Sequence, residues 1–117
     1  MNNKEFAKKL ELRTRQFGIS ILKLSSSLPN STEGKVIRNQ ITKSGTSIGA
    51  NYREANRSRS KKDFKNKIQI SESEASETEY WLELISDLEW VKNQELKAIM
   101  KEAKELLAIF TSISNKL

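Results

Sequence analysis

Apolar side chains return at intervals of three and four along most of the chain, the repeat of a helix face. The first stretch reads Phe6, Leu10, Phe17, Ile21, Leu24 and Leu28, with Arg13 or Thr14 filling its gap. It predicts a helix over about 3–28. Leu28-Pro29-Asn30-Ser31-Thr32 then breaks the pattern, because proline disfavours helix in the residue before it and Ser or Thr caps the next helix. Val36, Ile37, Ile41, Ile48, Tyr52 and Ala55 carry a second helix over about 33–57. Ser60 and Asp63 form a capping box, with Asp in place of the usual Glu, that opens a third over about 60–91. Its core positions are Phe64, Ile68, Ser71, Ala75, Thr78, Leu82, Ile85 and Leu88. Asn93 caps a fourth over about 94–116, with Leu96, Ile99, Met100, Ala103, Leu106, Leu107, Phe110 and Ile113 on its apolar face. Helices of these lengths run about 33–45 Å. Short links between them favour one all-α domain spanning 1–117, an antiparallel up-down-up-down four-helix bundle.

The second predicted helix carries Ser44-Gly45-Thr46-Ser47-Ile48-Gly49-Ala50-Asn51 in its interior. Each glycine there costs about 1 kcal/mol relative to alanine, so the pair one turn apart needs a compensating close approach. Folding the second and third helices back around Arg59 sets Gly45 to Asn51 opposite Ser73 back to Lys67, near the small residues Ser71, Ala75 and Thr78. A narrow waist between those two helices is expected. A phosphate-binding glycine loop is the rival, but neither G-x-G-x-x-G nor G-x-x-x-x-G-K-[ST] occurs.

The third helix bears a second apolar stripe of Ile70, Trp81, Leu84 and Leu88, with Tyr80 beside it and Trp90 beyond. A bundle helix needs one buried stripe. The second is a candidate oligomer interface (Ile70, Tyr80, Trp81, Leu84 and Leu88), unless Trp81 packs under the first or fourth helix.

Composition narrows the chemistry. Leu, Ile, Val and Phe make up 29 of 117 residues, enough for a thin core. The chain has no Cys and no His, so disulfides, thiol catalysis, the usual zinc sites and Ser-His-Asp triads lack their essential groups. No apolar run reaches the ~18 residues that span a bilayer, and the polar start is unlike a signal peptide. A soluble cytoplasmic protein without catalytic residues, cofactor or metal is expected. Carboxylates such as Glu74 with Glu77 do not make a di-iron site, which needs Glu-x-x-His pairs.

The net charge of +6 is unevenly spread: residues 1–67 hold 16 basic and 5 acidic side chains, residues 68–117 hold 5 and 10. The densest cationic run is Arg53, Arg57, Arg59, Lys61, Lys62, Lys65 and Lys67, around the tip joining the second and third helices. These seven are the candidate phosphate contacts to RNA or DNA. A solvated, self-compensating surface is the alternative. With Phe64 assigned to the core, the tip offers no aromatic for base stacking, so sequence-specific readout is not expected.

The runs Ser44-Gly45-Thr46-Ser47-Ile48-Gly49-Ala50-Asn51-Tyr52-Arg53-Glu54-Ala55, Ser60-Lys61-Lys62-Asp63-Phe64 and Tyr80-Trp81-Leu82-Glu83-Leu84-Ile85 resemble the bacterial four-helix-bundle proteins encoded in intervening sequences of 23S rRNA genes. The resemblance is strong over about 36–90 and implies a ring-like homo-oligomer, a homopentamer. A related branch, the accessory variability protein of diversity-generating retroelements, binds a reverse transcriptase and nucleic acid. Two functions are therefore expected: a non-enzymatic oligomeric protein contacting RNA through its basic surface, or a scaffold for a protein such as a reverse transcriptase.

Overall fold

The structure is a computed structural model that describes residues 3–117, with Met1 and Asn2 outside the described residues. Four helices account for nearly all of it: α1 (Asn3–Ser26), α2 (Thr32–Asn56), α3 (Lys61–Asp87) and α4 (Gln94–Asn115). No strand occurs among the described residues. Each helix packs on two neighbours: α1 on α2, α2 on α3, α3 on α4 and, over a thinner seam, α4 on α1.

The helix starts follow from their capping residues. Ser31 Oγ accepts the Gly34 N–H at 3.0 Å, Ser60 Oγ accepts that of Asp63 at 3.1 Å, and Asn93 Oδ1 accepts that of Leu96 at 2.9 Å. The end of α1 is closed from α2, where the Arg38 guanidinium donates to the carbonyls of Ser25 (3.0 Å), Leu28 (2.8 Å) and Pro29 (3.3 Å). The third helix stops at Asp87, short of the expected 91. Glu89 takes φ 57°, and the N–H groups of Glu89 and Trp90 turn back to the carbonyls of Ser86 and Ile85. That is a Schellman turn with Glu where glycine is usual, and the absent glycine is why the pattern alone carries the helix onward.

The core runs the length of the bundle through Phe17, Ile21, Ile41, Ile48, Ile68, Leu82, Ile85, Leu106 and Phe110. Tyr52 meets Phe110 edge-on at 5.4 Å. The gap in the first apolar stripe is filled by Thr14, which is buried and donates to Leu10 O at 2.9 Å. Arg13 instead spans the thin α1–α4 seam, with Nε 2.6 Å from Glu102 Oε2, and Nη2 2.7 Å from Glu102 Oε1 and 2.8 Å from Glu105 Oε1. The hydrogen bonds to Glu102 outweigh burial and hold the guanidinium above its ordinary pKa. Phe6 and Val36, assigned above to the apolar stripes of their helices, are exposed.

The waist is where the structure corrects the sequence reading. A Cβ on Gly45 would lie 2.7 Å from Ile21 Cγ2, and one on Gly49 would lie 3.0 Å from Thr14 Oγ1. Both glycines therefore face α1, not α3. The helical repeat explains it: Ser44 and Ile48, one position earlier on α2, are the residues that point to α3. Ser71 Oγ donates to Ile48 O at 2.9 Å and Thr78 Oγ1 donates to Ser44 Oγ at 2.9 Å. The small residues Ser71, Ala75 and Thr78 are all buried. Among the described residues, no buried side-chain nitrogen or oxygen lacks a hydrogen-bond partner.

Candidate nucleic-acid interface

The link between α2 and α3 is four residues, Arg57 to Ser60, pinned at both ends. The N–H groups of Arg57 and Ser58 close on Glu54 O and Ala55 O at 3.1 Å each, and Ser58 Oγ reaches Ala55 O at 2.6 Å. Ser60 then caps α3. A basic segment held this way presents its side chains on fixed backbone rather than on a loose loop.

The seven cations of the sequence reading divide in two. Arg53 lies 3.8 Å from Glu11 and Lys67 lies 3.6 Å from Glu54, exposed pairs that contribute about 0–1 kcal/mol each. The side chains of Arg57, Arg59, Lys61, Lys62 and Lys65 are exposed and form no ion pair or hydrogen bond among the described residues. Arg59, Lys61, Lys62 and Lys65 border a concavity of about 770 Å³ whose wall also includes Lys116 and Leu117 from the end of α4. Phe64, assigned above to the core, is only half-buried and lines the same concavity.

Three further cations share this end of the bundle. Glu11 of α1 accepts from Asn56 Nδ2 at 2.8 Å and approaches Arg53, which sets the middle of α1 level with the last turn of α2. Lys4, Lys8 and Lys9, all exposed, lie N-terminal to that point, toward the tip. Sequence distance hid them and Lys116 from the tip. The signal was present in the topology, since similar helix lengths return the start of α1 and the end of α4 to the α2–α3 link.

The stripe on α3 is partly used within the chain. Trp81 and Leu84 are half-buried against the core, while Ile70, Tyr80 and Leu88 are 40 %, 54 % and 50 % exposed. Trp81 Nε1 donates to Glu77 Oε2 at 3.1 Å and its ring meets Tyr80 edge-on at 5.1 Å. Glu74, on the same side, is raised above its ordinary pKa, chiefly by burial and then by Glu77, with Lys43 opposing. A second apolar patch escaped the sequence reading: Ile19 and Leu22, 46 % and 48 % exposed, border a groove between α1 and α2 floored by Gly18 and Gly49 and flanked by Arg15 and Arg53. Leu12, Ile19 and Leu22, spaced by seven and three, were its signal.

No group of three or more His, Cys, Asp or Glu side chains that could hold a metal is found among the described residues. Among the described residues, no helix is long and apolar enough to cross a membrane. The fold and the cationic end define a four-helix protein with a concave basic surface. A family model described as 23S rRNA-intervening sequence protein matches residues 3–112, and the chain belongs to that family. Among solved structures, it is similar to a protein of unknown function from the S23 ribosomal protein family of Bacteroides thetaiotaomicron, with 38 % identity and a TM-score of 0.81 over 89 % of this chain and 96 % of that one. No curated protein matches.

Proposed function

We propose that this chain is a non-enzymatic, homo-oligomeric protein of the cytoplasm that contacts RNA through the basic end of its bundle. The observation that carries this reading is the set of five unpaired cations, Arg57 and Arg59 on the pinned four-residue link and Lys61, Lys62 and Lys65 in the first turns of α3. Cations without carboxylate partners are free to replace the counterions condensed on a phosphate backbone, which is the main source of sequence-independent affinity. The family's description, an rRNA-intervening sequence protein, agrees with an RNA partner.

The bundle in this reading is antiparallel, up-down-up-down, and assembles as a ring, a pentamer. Two unlike apolar patches support a head-to-tail contact. One is the α3 stripe of Ile70, Trp81 and Leu88 with Glu74 and Glu77 beside it; the other is the α1–α2 groove of Ile19 and Leu22 with Arg15 and Arg53. A contact that joins unlike patches closes into a ring when its rotation permits, and the ring repeats the basic end in every subunit.

The test is fluorescence anisotropy of the protein with several unrelated RNAs across a salt series. Affinity is expected to be similar for all of them and to fall with a log–log slope of about −0.7 per phosphate contact on single strands. A protein-interaction scaffold is the second reading, favoured by the same α1–α2 groove if a foreign protein fills it. Absence of RNA binding at low salt, with a monomeric mass in light scattering, would select it.

A further inference from the structure

The concavity at the α2–α3 tip combines features that a simple phosphate-binding surface does not need. Its volume is about 770 Å³, and a half-buried aromatic ring, Phe64, and the apolar side chain of Leu117 line it. Arg59, Lys61, Lys62, Lys65 and Lys116 stand around that apolar floor. A duplex presents its phosphates outward and keeps its base faces stacked inside, so it would meet the cations and leave the concavity empty. A ligand that fills both parts needs an anionic group and an apolar planar ring within a few ångströms of each other. One unpaired nucleotide of a single strand has that chemistry: a base face for Phe64 and flanking phosphates for the lysines and Arg59.

Resting on the RNA-binding reading above, we infer that each basic tip captures an unpaired nucleotide of single-stranded RNA, its base against Phe64 and its phosphates among Arg59, Lys61, Lys62, Lys65 and Lys116. The tip thereby selects single strands and frayed ends over continuous duplex while staying indifferent to sequence, because every base has a face to stack.

The experiment titrates the full chain with a fluorescein-labelled 12-nucleotide single-stranded RNA and, separately, with a blunt duplex of the same sequence, at one low salt concentration. Single-strand affinity is expected to exceed duplex affinity by about tenfold, the scale of one base stacked on an aromatic side chain. Phe64→Leu keeps an apolar side chain at the half-buried position and should abolish that preference while leaving duplex affinity unchanged; circular dichroism verifies that the helices persist. A single strand carrying 2-aminopurine should lose fluorescence on binding the wild type and not on binding Phe64→Leu. Equal affinity for the two RNAs, or a preference that survives Phe64→Leu, overturns the inference and leaves the general RNA-binding reading standing. No binding of either RNA overturns both. If Phe64→Leu unfolds, the 2-aminopurine strand on the wild type decides instead: quenched emission on binding supports the stacked base, and unquenched emission refutes it.

Discussion

Helix α2 approaches its two neighbours by opposite means. Toward α1 it removes side chains: Gly45 and Gly49 admit Ile21 and Thr14 to where a Cβ would stand, and Gly18 lies across from Thr46. Toward α3 it keeps small polar side chains and bonds them, Ser71 to the Ile48 carbonyl and Thr78 to Ser44. The first seam depends on volume, with no bond across it at the glycines. The second depends on hydrogen bonds made in a buried layer, where an unmade one is expensive. Two seams on one helix should therefore fail differently when mutated: the α1 side to added atoms, the α3 side to lost hydroxyls.

The largest break is expected where the α1–α2 connection is tightest. A Cβ at Gly34 would fall well inside van der Waals contact with the Pro29 carbonyl, a backbone group that cannot rotate away. Gly34→Ala should destabilise by about 3 kcal/mol despite alanine's better helix propensity, read as a lower urea midpoint. A neutral result would mean that the Leu28–Ser31 turn is free to reshape.

Next comes Gly49→Leu, expected to lose about 1–3 kcal/mol by overpacking against Thr14. Pairing it with Thr14→Ala probes the same contact from the α1 side. Because the obstruction is that side chain and the backbone behind it, the double variant should recover part of the loss, and a purely additive result would place the leucine elsewhere.

On the α3 side, Thr78→Val keeps the shape and deletes the hydroxyl. It should cost about 1–2 kcal/mol, since the buried Thr78–Ser44 hydrogen bond is lost and Ser44 Oγ keeps only its long 3.4 Å bond to Ile41 O. Ser44→Ala added to Thr78→Val should then cost less than its effect alone. Full additivity in urea unfolding would show that the two hydroxyls are not coupled.

Much of this was legible because it is periodic. The apolar repeat located four helices, and Ser31, Ser60 and Asn93 marked three helix starts with the side-chain oxygens that cap them. The ends were harder. The end of α3 hides in Glu89, a residue type that rarely takes positive φ, and α1 is closed by Arg38 from twelve positions past its end. Gly45 and Gly49 announced a close approach but not its partner. One position of helical rotation separates facing α1 from facing α3, and folding back about Arg59 fixes level, not rotation. At the candidate site, the cationic run was readable as a run, whereas Lys4, Lys8, Lys9, Lys116 and the exposed side of Phe64 join it only once the bundle is assembled.

The smallest expected effect is electrostatic and lies on the α2–α3 side. Burial and Glu77 raise the Glu74 carboxyl above its ordinary 4.5, so the folded state holds that proton more tightly than the unfolded state does. Its penalty is absent in acid and develops as pH rises through the raised value. Glu74→Gln should therefore raise the melting temperature slightly at pH 7, and the gain should vanish as pH falls toward 4. An equal gain at both pH values would point to packing instead.

In the proposed function, one end of the bundle, rather than net charge, binds RNA. Two variants of identical net charge separate these. One replaces Arg57, Arg59, Lys61 and Lys62 by Gln at the tip; the other replaces Lys23, Lys35, Lys92 and Lys97, exposed cations around the opposite end, where the end of α1 meets the start of α4. Fluorescence anisotropy with one single-stranded RNA at fixed low salt should show affinity falling at least tenfold for the tip variant and remaining near wild type for the other, with oligomeric mass unchanged in both. Equal losses in the two variants would mean that net charge, and not the tip, sets the affinity.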